Sequence, residues 1–210
     1  MNIYGLLIGS ATFVCLLVGE KIVRRENLNP NTYWGCGLSG LLGGVIGARL
    51  YHVIDYWGYY SRDLLEILKV YNGGLGIFGA IAGGILSIAI YLKYKREPIL
   101  KWLDLASILL PLGQSIGRWG NYFNNEVLGT PTNLPWKMAV ASRYRPPEMG
   151  GISYYHPLFL YESILDFGLF LLLVHLYKSR KLKLGSGKLL ILYLCLYALI
   201  RTVLQPMRLQ

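Results

Sequence analysis

The sequence predicts an all-α, polytopic membrane helix bundle of about six transmembrane helices, with an extracytoplasmic cap between helices four and five. Three observations predict it. The 210-residue chain is 54% hydrophobic and only 15% charged, with a mean hydropathy of +0.40; soluble domains carry about 25% charged residues. Six stretches meet or approach the roughly 20 apolar residues that cross a hydrocarbon core of about 30 Å: 3–20, 33–55, 72–92, 99–118, 158–177 and 188–206. Glycine is abundant, at 25 residues, as expected where helices pack closely in lipid. Residues 1–210 therefore read as a single integral-membrane domain.

The first segment is followed, not preceded, by its positive charges, Lys21, Arg24 and Arg25. A cleaved signal peptide has the opposite order. Segment two contains Gly40, Gly43, Gly44 and Gly47, and segment three Gly76, Gly79, Gly83 and Gly84. Spacings of four put pairs of these on one helix face, which favours close helix approach. Segment four is less apolar, with Asp104, Pro111 and Gln114; Pro111 predicts a kink. The stretch 119–157 holds Pro131, Pro135, Pro146, Pro147, Trp136 and several tyrosines, and reads as an ordered outer cap with interfacial aromatics. Cys15, Cys36 and Cys195 lie in apolar segments at unrelated spacing, as small hydrophobes and not a metal or disulfide framework. Gly74-x-Gly76-x-x-Gly79 and Gly113-x-Ser115-x-Gly117 mimic nucleotide and hydrolase motifs. Both need a strand that the pattern does not supply.

Lysine and arginine counts set the expected orientation. Lys21, Arg24, Arg25, Lys93, Lys95, Arg96, Lys101, Lys178, Arg180, Lys181, Lys183 and Lys188 fall on one side, against Arg62, Lys69, Arg118, Lys137, Arg143 and Arg145 on the other. Both termini and the cap are expected outside. The net charge of +10 is explained by an anionic inner leaflet, without nucleic acid.

Ionisable residues within a span cost on the order of 2.5–3.5 kcal/mol on insertion scales, so each needs a reason. Helix rise puts Arg49 roughly 24 Å and Arg201 roughly 20 Å above the inner ends of their segments. Arg118 closes segment four, and Tyr161, Glu162 and Asp166 open segment five. Three arginines and two acids thus converge on the outer headgroup depth. One reading is a phosphate site, since arginine's planar fork binds phosphate in parallel charge-assisted bonds. The other is structural pairing of Arg49, Arg118 and Arg201 with Glu126, Glu162 and Asp166. Asp104 and His175, in the inner halves, read as satisfied packing residues.

The string Gly117-Arg118-Trp119-Gly120-Asn121-Tyr122-Phe123-Asn124-Asn125-Glu126-Val127-Leu128-Gly129 resembles the signature of prolipoprotein diacylglyceryl transferases, G-R-x-G-N-[aromatic or aliphatic]-x-N-x-E-x-x-G, at all seven fixed positions. Tyr4-Gly5-Leu6-Leu7, Gly47-Ala48-Arg49-Leu50-Tyr51, Gly73-Gly74-Leu75, His156-Pro157, Leu160-Tyr161-Glu162, and Tyr197 with Arg201 extend the resemblance over nearly the whole chain. It implies a multi-pass enzyme of the bacterial cytoplasmic membrane, its site facing the extracytoplasmic side. Such an enzyme moves the diacylglyceryl group of phosphatidylglycerol to the lipobox cysteine of a prolipoprotein and releases glycerol phosphate. No metal or other cofactor is implied; the partners are phosphatidylglycerol, prolipoprotein signal peptides and the bilayer.

The expected catalytic residues are Arg118, Arg201 and His156. Phosphatidylglycerol binding is expected at Arg118, Asn121, Asn124, Glu126, Gly129, Tyr197 and Arg201, braced by Arg49, Tyr161 and Glu162. Three departures stand out. Phe78 occupies the place where many members carry a histidine or tyrosine proposed for proton transfer. Gln205 replaces a glutamate, and the chain stops at Gln210, where members usually continue into a final span. His52 and His156 are the alternative bases, each with a packing reading beside it; the third alternative is a thiol that ionises without a dedicated base. Two rival functions remain: a divergent relative that binds lipid or prolipoprotein without transfer, and a small membrane transporter.

Overall fold

The computed structural model describes residues 3–209, apart from the side chain of Asn72; Gln210 lies outside them. Among the described residues six helices are long and apolar enough to cross a membrane, as expected. They belong to two compact units, Glu20–Ile99 and Met1–Gly19 with Leu100–Gln210. The first helix, α1 (Ile3–Arg25), contributes residues to both.

The unit Glu20–Ile99 is built on α2 (Pro30–Asp55), the short α3 (Trp57–Tyr60) and α4 (Ile77–Tyr94). Asn29 caps α2 by accepting the Asn31 N–H at 2.9 Å, and Pro30 follows at the first helical position, where its missing N–H costs nothing. The glycines of the two spans face each other as their spacing predicted. A Cβ on Gly47 or Gly79 would overlap the other's carbonyl oxygen, and one on Gly83 would overlap the Gly43 oxygen. Such contact compensates for the absence of a hydrophobic driving force between helices in lipid. Span three starts at Ile77 and not at 72. Gly73 and Gly74 adopt φ values of +87° and +71°, a left-handed turn that no α-helix continues through.

The other unit holds α5 (Ile99–Asn124), β1 (Met138–Ala139), β2 (Tyr154–Tyr155), α6 (Leu158–Lys178) and α7 (Lys188–Leu204). Pro111 lies inside α5, which continues on both sides of it. This helix also runs six residues past Arg118, so the signature through Asn124 is helical and the segment expected as the cap begins at Asn125. Its end is a Schellman motif. Asn125 takes φ +53°, Glu126 N–H donates to the Asn121 carbonyl at 2.9 Å, and Asn125 N–H to that of Tyr122 at 3.1 Å. Asparagine tolerates that conformation nearly as well as glycine.

Beyond it the chain is ordered by short strand contacts. Met138 pairs with Tyr155, Pro131 with Tyr155, and Gly129 with Arg208. Leu128, Val140 and Tyr155 are buried among Met138, Met149 and Leu209. The residues that follow α7 are thereby stitched to the end of the signature: Thr130 N–H donates to the Met207 carbonyl and Leu209 N–H to that of Leu128.

Asp104, read from sequence as a satisfied packing residue, has a sharper role. Fully buried, it accepts the N–H groups of Gly185 (2.8 Å), Gly187 (2.9 Å) and Leu190 (3.1 Å). It therefore caps α7 from a distant helix, satisfying orphan donors and meeting the positive end of the helix dipole.

Candidate functional site

Glu162, 2% exposed in its side chain, sits between two arginines from different helices. Arg201 Nη1 of α7 donates to its Oε1 at 2.5 Å. Arg118 Nε of α5 lies 2.6 Å from Oε2, a close ion pair without the alignment of a hydrogen bond. One helical turn along α6, Asp166 lies 3.9 Å from Arg118 Nε. Its buried carboxylate oxygens meet no hydrogen-bond donor among the described residues. Two cations thus face two acids. The sequence signal for this ladder was the gathering of Arg118, Glu162, Asp166 and Arg201 at one depth of apolar segments.

The arginines are not used up by these contacts. Each approaches Glu162 through one nitrogen, and their side chains stay 18% and 28% exposed. Nothing among the described residues accepts a hydrogen bond from the remaining guanidinium groups. Below Arg201 on α7, Tyr197 stacks on Tyr193 with ring centroids 5.7 Å apart, and the Tyr193 hydroxyl accepts from Gln114 Nε2 at 3.0 Å. Sequence reading gave neither Gln114 nor Tyr193 a role.

An apolar cavity of about 430 Å³ opens beside this ladder, between α1, α5 and α6. Leu7, Ile116, Trp119, Leu160, Ile164 and Phe167 form its walls. Ser163 and Ser115 reach it too, but Ser163 Oγ donates to the Ser115 carbonyl and Ser115 Oγ to that of Leu112, each at 2.8 Å. Their polarity is spent within the protein, which leaves a surface suited to hydrocarbon.

The other expected site residues form separate groups. Asn124 Nδ2 donates to Glu126 Oε1 at 3.1 Å, both residues being exposed. Glu126 therefore does not pair with an arginine, contrary to one of the sequence readings. Asn121 is half-buried on the last turns of α5, and the ring of Tyr4 packs where a Cβ on Gly120 would stand. Gly129 is buried against the Cβ and carbonyl of His156. His156 Nδ1 lies 3.2 Å from the Tyr161 hydroxyl, which also receives the Trp136 indole N–H at 2.7 Å.

Arg49 belongs to the Glu20–Ile99 unit and pairs with no acid among the described residues. Its guanidinium donates to the carbonyls of Ile67 (2.8 Å), Gly73 (2.7 Å), Gly74 (3.1 Å), Lys69 (3.4 Å) and Glu66, and it lies 5.0 Å from the Tyr60 ring centroid. The Glu66 side chain holds Lys69 at 2.6 Å, a bond that raises the Lys69 ammonium above the usual lysine value. Phe78 is exposed, with Tyr51 as its aromatic neighbour at 6.0 Å.

The fold and this cluster define a multi-pass membrane protein in which two interior arginines share one carboxylate and keep donors for an anion. Comparison with known proteins supplies the family. A family model described as prolipoprotein diacylglyceryl transferase matches residues 1–210, and the chain belongs to that family of transferases. It is similar to the phosphatidylglycerol–prolipoprotein diacylglyceryl transferase of Trichormus variabilis, at 39% identity over 98% of this chain and 74% of the relative. The proteins of the same name from Thermotoga petrophila and Finegoldia magna are 40% and 38% identical, over 98% of this chain and 70% and 78% of their own lengths.

Proposed function

We propose that the chain transfers the diacylglyceryl group of phosphatidylglycerol to the lipobox cysteine of prolipoproteins, at the outer face of a bacterial cytoplasmic membrane. The observation that carries this reading is the Arg118–Glu162–Arg201 bridge. A phosphodiester approaching the open sides of both guanidinium groups meets several donors held in place by a buried acid. Asn121, Asn124, Glu126, Gly129 and Tyr197 shape the headgroup pocket around it, and the acyl chains take the cavity walled by Trp119 and Phe167.

In the reaction the cysteine sulfur attacks the glyceryl methylene of the lipid. The carbon–oxygen bond to phosphate breaks, and its electron pair leaves with glycerol phosphate. The thiol proton passes to water or to the departing phosphate. A few per cent of a free thiol is already ionised near neutral pH. The larger demand is charge, because the phosphate gains a negative charge as it leaves. Arginines aimed at that charge stabilise the transition state more than the ground state.

Purified protein incubated with headgroup- and acyl-labelled phosphatidylglycerol and a lipobox peptide tests the proposal. A thioether-linked diacylglyceryl peptide and equimolar glycerol phosphate are expected. Lipid binding without thioether would overturn transfer.

A further inference from the structure

His156 is the residue that the sequence offered as proton acceptor near the signature, and its surroundings fix its ring in a way that bears on that role. Its backbone N–H donates to the Thr130 carbonyl at 3.0 Å, and Gly129 has no room for a Cβ because the Cβ and carbonyl of His156 occupy the space. Pro157 restricts the backbone from the other side. The backbone and Cβ of His156 are therefore held against the last residue of the signature.

The hydrogen-bond chain then sets which ring nitrogen carries the proton. The indole N–H of Trp136 is a donor only, and it points to the Tyr161 oxygen at 2.7 Å. Having accepted that bond, the phenol has one proton to give, and His156 Nδ1 lies 3.2 Å away. If Nδ1 instead carried a proton, the phenol oxygen would receive two donors. Its own proton would then have no acceptor among the described residues. Donation from Tyr161 to Nδ1 satisfies all three groups and places the imidazole proton on Nε2.

We infer that Trp136 and Tyr161 hold His156 as its neutral Nε2–H tautomer, so that His156 donates a hydrogen bond to the lipid phosphate instead of removing the thiol proton. This inference rests on the proposed site, with the phosphodiester bound beside the signature. A fixed neutral donor suits the chemistry, because its bond strengthens as the leaving phosphate passes from one negative charge to two. Tyr161 is then a positioning residue, and Trp136 orients Tyr161.

Two measurements test this. Nitrogen-15 NMR of histidine-labelled protein in detergent reads the tautomer directly and does not depend on transfer. The Nε2–H form is expected for His156 in the unaltered chain, and a mixture of both tautomers in Tyr161→Phe. The second measurement is transfer from labelled phosphatidylglycerol to a lipobox peptide by His156→Gln, His156→Asn and His156→Ala. The glutamine amide N–H falls where Nε2–H stood, whereas asparagine matches Nδ1. Gln is expected to stay within about threefold of the original, with the same pH profile, and Asn and Ala to lose about 10²-fold, the scale for one transition-state donor. An Nδ1–H ring in the unaltered chain overturns the inference. So does a glutamine variant as inactive as alanine. Failure of the underlying reading would show differently, as no transfer by the unaltered chain whatever the tautomer.

Discussion

The chain contains two kinds of interior arginine, and their partners separate them. Arg49 is buried to 6% exposure and gives its hydrogen bonds to five backbone carbonyls between Glu66 and Gly74. Carbonyls carry no net charge, so this arginine acts as a multi-pronged tie for a segment of two short 3-10 turns, Leu64–Leu68 and Val70–Asn72, and the glycine turn after them. Arg118 and Arg201 instead share one carboxylate and leave most of their donors unclaimed. A saturated guanidinium organises its own protein. One held by a single prong is oriented and still able to bind an anion.

The comparison breaks most sharply at the pair. Arg118→Lys and Arg201→Lys keep the charge and the ion pair with Glu162 but lose the planar fork. Transfer is expected to fall about 10³-fold for either, near 4 kcal/mol of transition-state stabilisation, while thermal unfolding in detergent changes little. Near-full activity in both lysine variants would put the phosphate elsewhere.

Removing the shared acid sharpens the same contrast. Glu162→Gln keeps the side chain's size and leaves two half-buried guanidinium groups facing each other, with only Asp166 to balance them. Losing one partner of a buried ion pair typically costs about 3–5 kcal/mol. For a chain of this length that corresponds to roughly 10 °C or more in Tm. Transfer is expected to drop with it, by less than in the arginine variants because both forks remain. An unchanged Tm would mean that the pairing contributes nothing to holding α5, α6 and α7 together.

The sequence made the six spans, the glycine-faced helix pair and the ladder residues Arg118, Glu162, Asp166 and Arg201 visible. Each follows a local rule: span length, a spacing of four, or charge against an apolar background. What it hid depends on contacts distant along the chain. Asp104 caps α7 across more than 80 residues, and no periodicity announces such a bond. Trp136 reads as one more interfacial aromatic until its indole N–H is seen on Tyr161. The end of α5 was misplaced for a different reason. Asn121, Asn124 and Asn125 look like loop residues by propensity, yet only Asn125 terminates the helix, by adopting the left-handed conformation.

Arg49 supplies the smallest expected effect and decides whether the comparison holds. Arg49→Lys leaves a cation in place but replaces a five-donor fork with one ammonium group, which cannot reach carbonyls as far apart as those of Glu66 and Gly74. Some of these carbonyls then lose their partner, and a buried acceptor without a donor costs about 1–3 kcal/mol. A Tm lower by roughly 5 °C is expected, together with faster proteolysis within residues 61–76. Transfer measured well below the new Tm should stay within a few-fold of the original, because no donor of Arg49 is available to a substrate. The opposite pattern, an unchanged Tm with transfer abolished, would place Arg49 in the chemistry and erase the distinction between saturated and open arginines.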